Sequence, residues 1–364
     1  MEVSERRESI DAFRGFTILG MILVNSPGSW DHVYSPLLHA DWNGCTAADL
    51  VFPFFLFIVG ISIVFAYSKK IQKGTSRIQL VRKAFVRTLI LFGIGLALNI
   101  LMSGFREVRI PGVLQRIAIV YFIGSILFLY APRWIIILLS LVILLGYWML
   151  LIWVPPPSQA HAVLEPGLNI ANWVDFKIIP CKMYRGTWDP EGLLSTLPAI
   201  VTCTIGMMAG WLMLRTKEFA KSAKLLLLSG LILVIIGLTW SLAFPLNKNL
   251  WTSSYVLFTS GLGFLFLGLF EILTNAGKFK QWLVLFLAPG YNALSIYILH
   301  ILLIYPFVIL NISSGNSIQS LFMSFFTSVG LSLNFTSLLW AIVYIFLCFI
   351  PALILYRKKI LIKV

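Results

Sequence analysis

A histidine in a polar loop is the first candidate for chemistry in this chain. His39 is followed by Asp41 and, ten residues further on, by Asp49. A neutral imidazole beside a carboxylate is the usual arrangement for general base catalysis near neutral pH. The spacing leaves open which carboxylate is the partner and whether His39 is catalytic. Because this loop also carries Trp42 between two apolar stretches, we expect it to fold against the end of a helix bundle.

A second histidine lies in the middle of an apolar stretch. Asn292, Ser295 and His300 share one face of a predicted helix by their spacing. Such a polar stripe either lines a cavity or joins helices through hydrogen bonds, and the sequence allows both. Together with Asn43 in the polar loop, these residues are predicted to contact substrate or to hold the structure.

Charged residues near apolar stretches form a third group, because a charge at the centre of a membrane span costs about 2.5–3.5 kcal/mol. Asp11 and Arg14 lie one helical turn apart and are predicted to pair. Arg116 and Glu191 are predicted to form an ion pair near the outer surface. Asp49 opens an apolar stretch, where its carboxylate is favourable and can cap the helix.

No serine-hydrolase elbow, zinc-protease motif, P-loop or dinucleotide fingerprint occurs in the sequence. The four cysteines, Cys45, Cys181, Cys203 and Cys348, lack the spacing of a metal site, so no metal is expected. A disulfide between Cys45 and Cys181 is left open, because both lie in predicted loops.

The elements that position these residues follow from the composition. Of 364 residues, 59% are hydrophobic and 12% are charged, which excludes a soluble globular protein. Apolar stretches of about 20 residues, long enough to cross a bilayer, recur along the chain. We therefore predict an all-α, polytopic transmembrane bundle that forms a single domain over residues 1–364. Ten spans are predicted near 12–26, 49–68, 85–103, 111–130, 134–154, 193–214, 225–244, 251–273, 289–310 and 335–356.

The basic residues indicate the orientation of these spans. With ten spans, 21 of the 28 Lys and Arg residues fall on the side that holds both termini. Cytoplasmic loops are enriched in Lys and Arg, so both termini are predicted to be cytoplasmic, and the net charge of +14 requires no nucleic-acid partner. His39 and the loop 155–192 are predicted to lie on the opposite side. The uncharged segment 311–334 is expected there too, dipping into the bilayer or packing on the bundle.

Several stretches of the chain resemble the heparan-alpha-glucosaminide N-acetyltransferase family of transmembrane acyltransferases. They occur in the same order as in the family and together cover essentially the whole chain. The stretches that carry the resemblance are 9–15, 21–25, 39–53, 109–116, 189–192, 247–251, 289–295 and 356–359.

The resemblance implies an acyl transfer across the membrane. Acetyl-CoA from the cytoplasm is expected to donate its acetyl group to the amine of an amino sugar of the glucosamine type on the other side. His39 falls on the family's catalytic histidine and Asn25 on a polar residue near the acetyl group, and Asp49 is expected to orient the imidazole. The basic residues predicted to contact CoA, whose phosphates favour charge-assisted bonds, are Arg14, Arg82, Lys83 and Lys358.

Alternatives remain open at this point. The imidazole of His39 can act as a base or can carry the acetyl group itself. A transporter or flippase for a sugar or a lipid-linked glycan, with the His300 stripe along its path, is the rival from another class, and O-acetylation of a polysaccharide is a second rival. Because the match begins almost at the first residue, we expect a bacterial inner-membrane protein, with the natural acceptor and a homodimer left open.

Overall fold

The structure of the chain, a computed structural model, describes residues 7–216, 218–276, 280–313 and 316–362. Thirteen α-helices lie in these ranges, and the strands described there are one short antiparallel pair, β1 (Asn311–Ser313) and β2 (Asn316–Ser317). The predicted all-α class is confirmed. The helices are α1 (Glu8–Asn25), α2 (Val51–Gln72), α3 (Arg77–Met102), α4 (Val113–Tyr130), α5 (Arg133–Trp153), α6 (Ile170–Ile178), α7 (Thr196–Arg215), α8 (Phe219–Ser241), α9 (Ser253–Asn275), α10 (Lys280–Tyr291), α11 (Ala293–Ile304), α12 (Ile318–Ser328) and α13 (Leu333–Arg357).

Eight helices in the described ranges are long and apolar enough to cross a membrane: α2 with the turn before it, α3, α4, α5, α7, α8, α9 and α13. The pair α10 and α11 passes the same test jointly but is bent by 77°. Helix α1 has 18 residues and carries Glu8, Asp11 and Arg14. A polytopic helical membrane protein is therefore confirmed. The count of ten spans and the cytoplasmic position of both termini remain predictions, and some of the basic residues behind them, in 1–6, 217, 278–279 and 363–364, lie outside the described residues.

The beginning of α1 is tied to the ends of two other helices. Arg7, the residue before α1, pairs with Glu271 of α9 and donates to the carbonyl oxygens of Met213 (3.3 Å) and Thr216 (3.2 Å) at the end of α7. The Ser9 hydroxyl donates to the same carboxylate. A buried carboxylate is costly unless it is paired, so these bonds fix where α1 begins.

Glycines set the closest helix contacts. A Cβ atom on Gly60 of α2 would overlap the carbonyl oxygen of Cys203 in α7, and one on Gly206 of α7 would overlap that of Phe57 in α2. Lipid tails are as apolar as the helices, so close backbone approach through small residues is a main source of helix association in membranes. The contact between α2 and α7 therefore depends on these two glycines.

The bend between α10 and α11 holds the end of the described chain. Asn292 lies at the bend, donates its side-chain amide to the carbonyl of Ile360 (2.8 Å) and accepts from the backbone N–H of Ile362 (2.9 Å).

Helix α12 packs Phe322 against Trp340 of α13, with ring centroids 5.3 Å apart. The described part of the segment 311–334 thus packs on the bundle, which is one of the two expected outcomes.

The ion pair between the loop before α4 and the loop before α7 is made by a different arginine from the one predicted. Arg109, in the loop before α4, bonds Asp189 through Nε (2.8 Å) and Nη2 (2.6 Å), and Glu191 through Nη2 (2.5 Å). Burial raises the pKa of Asp189, but the hydrogen bonds and charge of Arg109, together with two backbone N–H groups, outweigh that effect, so the pKa lies below its usual value. The predicted pair of Arg116 with Glu191 is wrong, because Arg109 lies in the same loop region as the carboxylates and binds both.

Arg116 has a structural position instead. It is 2% exposed and donates to the carbonyl oxygen of Gly192 (2.8 Å) and the hydroxyl of Ser195 (2.5 Å), just before α7. Its guanidinium lies 5.2 Å from the ring centroid of Trp251, a favourable cation–π distance. Arg116 therefore joins the first turn of α4 to the beginning of α7 rather than to a carboxylate.

The disulfide left open by the sequence is not formed. Cys45 and Cys181 are both free, and the sulfur of Cys181 accepts a hydrogen bond from the backbone N–H of Ile110 (3.4 Å). The two loops are thus held by hydrogen bonds and ion pairs.

Arg109→Met is expected to lower the melting temperature in detergent markedly, because it leaves Asp189 and Glu191 without their cation. Removing one partner of a buried pair costs about 3–5 kcal/mol. The measurement belongs at pH 7, since a carboxylate whose pKa is lowered on folding stabilises above its unfolded pKa and loses that effect as pH falls through the folded value. Lys182→Met is the control, because its pair with Glu107 is 63% and 48% exposed and such pairs contribute about 0–1 kcal/mol. Equal melting of the two variants would contradict this assignment.

Gly60→Ala is expected to destabilise the bundle, because the added methyl group meets backbone rather than a flexible side chain. Gly93→Ala in α3 is the matched control, since a Cβ there has no atom within 4 Å and should cause no loss. Thermal unfolding of the two variants in the same detergent compares them. If both melt at the parent temperature, the contact between α2 and α7 is looser than described.

Candidate active site

The polar loop between α1 and α2 is organised around one carboxylate. Asp49 lies in a 3₁₀ turn before α2 and is 1% exposed. Its carboxylate accepts from the backbone N–H groups of Ala40 and Thr46 (both 3.0 Å), from the Thr46 hydroxyl (3.1 Å) and from His39 Nδ1 (2.8 Å). The predicted capping of α2 by Asp49 is wrong: Leu50 precedes the helix, without a side-chain cap. The carboxylate is directed at the loop because four donors converge there.

The contact with Asp49 fixes how His39 is presented. A carboxylate accepts but cannot donate, so Nδ1 carries the proton and Nε2 keeps its lone pair. The His39 side chain is 43% exposed and lines the cavity described below. Of the two carboxylates that the sequence left open, Asp49 is the partner, and Asp41 is exposed and lines the cavity. A base and the group that orients it are therefore both in place.

A lysine that the sequence analysis did not single out completes this group. Lys248, in the loop between α8 and α9, has its nitrogen 3.4 Å from Asp49 Oδ1. The same nitrogen is 3.1 Å from His39 Nδ1 and 3.3 Å from His39 Nε2. A bond aimed at one ring lone pair would leave the other nitrogen far outside hydrogen-bond distance, so the ammonium lies against the face of the ring rather than on the lone pair of Nε2. Burial lowers the pKa of Lys248, and the Asp49 charge opposes that shift.

The Lys248 loop is held to the His39 loop by paired amides. Asn247 donates to the side-chain oxygen of Asn43 (3.1 Å) and accepts from the backbone of Leu250 (2.9 Å), while the backbone N–H of Gly44 donates to the carbonyl of Leu246 (2.7 Å). Asn43, predicted to contact substrate or to hold the structure, thus joins two loops. Lys248 lies within the family-like stretch 247–251, which was the signal available for finding it.

The site opens into a cavity of about 1130 Å³ that reaches both ends of the bundle. We call the end where α1 begins the inner end and the end where α1 finishes the outer end. Arg7 and Lys70 line the cavity at the inner end, and Asn25, His39 and Glu191 line it at the outer end. One continuous space therefore connects the histidine to the opposite end of the molecule.

The histidine of the predicted polar stripe lies in the wall of this cavity. Asn292, Ser295 and His300 all line it, but two of them are also committed to structural bonds. Nε2 of His300 is 2.7 Å from the Ser26 hydroxyl, and Asn292 holds the end of the described chain. The stripe thus both lines the cavity and makes structural hydrogen bonds. His300 is 3% exposed, far less than His39.

Among the residues predicted to contact CoA, one lies in the cavity wall. Arg14 bonds Asp11 (2.8 Å), as predicted, and also the Ser62 hydroxyl (3.0 Å) and the Gly290 carbonyl (3.4 Å). The structure places the other predicted cations on the exposed surface, outside the residues that line the cavity. These are Arg82, Lys83 and Lys358.

The chemistry that this arrangement supports is proton transfer at Nε2 of His39. Within the described ranges, no group of three His, Cys, Asp or Glu side chains could hold a metal ion. The polar groups in contact with His39 are the Asp49 carboxylate and the largely buried ammonium of Lys248, and the Asn25 amide at the end of α1 lines the same cavity. Such a set can activate a nucleophile or accept a reacting group at the cavity's outer end.

Known proteins similar to this chain point to a specific family. The family model described as the catalytic region of heparan-alpha-glucosaminide N-acetyltransferase matches residues 6–234. The chain is 30% identical over 360 residues to heparan-alpha-glucosaminide N-acetyltransferase of Homo sapiens, covering 81% of this chain and 52% of the relative, and 28% identical over 359 residues to that of Mus musculus, covering 82% and 53%. It thus spans about half the length of the curated relatives it matches. The chain belongs to the heparan-alpha-glucosaminide N-acetyltransferase family.

Proposed function

We propose that this membrane acetyltransferase moves an acetyl group from acetyl-CoA, bound from the inner end, to the amine of an amino sugar at the outer end. The observation that carries the proposal is the cavity that joins an Asp49-oriented His39 to the opposite end of the bundle. The curated relatives are named for N-acetylation of an alpha-glucosaminide, which supports an amine acceptor. The predicted excess of basic residues on the cytoplasmic side supports entry of the polyanionic donor from there.

The proposed reaction is attack of the acceptor nitrogen on the thioester carbonyl. A new C–N bond forms, and Nε2 of His39 takes a proton from the nitrogen as the charge develops. The C–S bond then breaks, and the proton passes from His39 to the leaving thiolate, giving free CoA. Asn25 donates to the carbonyl oxygen as it gains negative charge, a contribution of about 2.7–4 kcal/mol in well-studied sites.

Asp49 and Lys248 support this step through His39. The carboxylate keeps the proton on Nδ1, so Nε2 is the reactive nitrogen, and it balances the imidazolium that forms after proton transfer. The ammonium of Lys248 balances the buried carboxylate, since a buried charge is costly without a partner. The same Nε2 can instead attack the thioester and carry the acetyl group as an acyl-imidazole.

The rival functions differ in what becomes of the thioester. A transporter or flippase leaves acetyl-CoA intact, whereas the proposed enzyme releases CoA when an amino sugar is present. An O-acetyltransferase also releases CoA, but its ester product loses acetate under mild base and an amide does not. The bacterial inner membrane remains a prediction of the sequence, and a homodimer remains open.

His39→Ala is expected to reduce amine-dependent release of CoA by at least about 100-fold, because general base catalysis contributes about 10²- to 10⁴-fold. Acetyl-CoA binding should persist, since the donor's phosphates are held at the inner end. The measurement is thiol release from purified protein with glucosamine as acceptor. His32→Ala is the matched control, because His32 does not line the cavity and its loss should leave the rate unchanged.

A loss of less than tenfold in His39→Ala would contradict the assignment and move the search for the base to His300. Intact acetyl-CoA in the parent protein, with amino sugar present, would contradict the acetyltransferase itself. Rapid-quench labelling with radiolabelled acetyl-CoA then separates the two routes through Nε2. Direct transfer predicts no protein-bound acetyl group before the acceptor is added.

Lys248→Met is expected to lower kcat/KM by about tenfold or more, because Asp49 loses its cation and then holds the His39 imidazole less precisely for the reaction. Lys248→Arg keeps the positive charge and should retain most of the activity. The two variants are compared by kcat/KM and by melting temperature, so that unfolding is not mistaken for lost catalysis. Parent-like activity in folded Lys248→Met would show that the ammonium does not support the reaction.

A further inference from the structure

Two cations at the inner end of the cavity face each other across a pair of tyrosines. The ammonium of Lys70, near the end of α2, lies 5.7 Å from the ring centroid of Tyr67, and the guanidinium of Arg87 in α3 lies 5.1 Å from that of Tyr121. The two phenol oxygens are 2.9 Å apart, and Tyr67 also donates to the Ser125 hydroxyl (3.2 Å). Lys70, Arg87 and the two tyrosines all line the cavity, where both cations are exposed to solvent and lie over the tyrosine rings.

These two cations differ from most of the others in the cavity wall. Arg7, Arg14, Arg109 and Lys248 each have a carboxylate partner, and Arg185 lines the cavity at the outer end. Within the described part of the chain, Lys70 and Arg87 have no carboxylate within 4 Å, and the charges of Lys83 and Arg87 act on the Lys70 ammonium. Like charges at short range repel, so a bound anion would stabilise this pair.

The distance of Lys70 and Arg87 from the His39 site suits a long ligand that reacts at the outer end. Nineteen residues separate the beginning of α2 at Val51 from Lys70, which corresponds to about 28 Å along the helix axis. The His39 site lies beside the beginning of α2. In CoA the phosphates and the thioester lie at opposite ends of a long flexible arm, so a phosphate near Lys70 leaves the thioester free to extend toward His39.

We propose that Lys70 and Arg87, supported by Tyr67 and Tyr121, form a phosphate subsite for the acyl donor. The inference rests on the proposed function, since that function supplies a donor with phosphate groups. Charge-assisted bonds from Lys and Arg are the usual way to hold phosphate oxygens. The subsite replaces Arg82, Lys83 and Lys358, which do not line the cavity, as the main contact to the donor. Phosphate groups of anionic lipids have the same chemistry, but the position of both cations in the cavity wall favours the donor.

The test compares two ligands in the full-length protein reconstituted into nanodiscs. Acetyl-CoA carries the phosphates, and S-acetylpantetheine carries the same thioester without any phosphate. Binding is read from the concentration-dependent rise in melting temperature, which detects weak ligands as well as tight ones. The variants are Lys70→Gln and Arg87→Gln. Their controls are Lys73→Gln and Arg77→Gln, exposed residues close by in the chain that do not line the cavity.

Each of the two variants is expected to weaken acetyl-CoA binding by about tenfold or more and to leave S-acetylpantetheine binding unchanged, while the controls bind both like the parent. Equal weakening of both ligands would overturn the proposal, because a merely structural role predicts it. Unchanged acetyl-CoA binding in both variants would overturn it as well.

Two further outcomes separate the sources of phosphate and the two proposals. If the variants lose affinity only in nanodiscs with phosphatidylglycerol and not in pure phosphatidylcholine, the cations serve lipid headgroups and the donor subsite is wrong. If the parent binds acetyl-CoA in a manner that depends on Lys70 and Arg87 but never releases CoA, the subsite stands and the acetyltransferase proposal fails. A parent that binds neither ligand overturns both.

Discussion

The outer half of this molecule depends on one buried carboxylate. Asp49 sits at the point where the polar loop enters the bundle, and its two oxygens take up donors from residues that are otherwise far apart in the loop. A carboxylate at this depth is stable only if it is fully hydrogen-bonded and balanced by positive charge. The loop must therefore close around it, and that closure brings the imidazole and the ammonium of Lys248 together.

The sequence allowed most of the fold to be predicted because the bilayer restricts what the chain can do. Backbone groups in hydrocarbon must bond within a helix, so long apolar stretches fix α2, α4, α5, α7 and α9 within a few residues. Helices α3 and α8 begin eight and six residues before the predicted spans, because their first turns carry Lys and Arg residues that hydropathy does not assign to a span. The 77° bend at Asn292 was not predicted, because hydropathy records whether a stretch is apolar and not whether it is straight. Helix α1 shows the same limit, since its Arg14 bonds Ser62 and Gly290, which lie far away in sequence.

The candidate site could be predicted only where its residues lie close together in the sequence. His39 and Asp49 lie ten residues apart, and their pairing was one of two options that the spacing offered. Lys248, in contrast, reaches His39 from 209 residues away, and Arg109 reaches Asp189 from 80. No local pattern encodes such contacts. The error over Arg116 has this origin, because matching depth along two helices cannot distinguish a buried guanidinium from one in the adjacent loop.

The bend at Asn292 has a consequence for the order of events during synthesis. Its amide binds Ile360 and Ile362, and Leu361 and Ile362 form part of the inner cavity wall. Arg7, which also lines the inner end, pairs with Glu271, 264 residues later. While residues 360–362 are still in the ribosomal exit tunnel, the earlier helices can insert and pair, but the inner mouth lacks the side that Leu361 and Ile362 form. The complete wall of the inner mouth is therefore acquired only after those residues have left the tunnel, whichever helix pairs first.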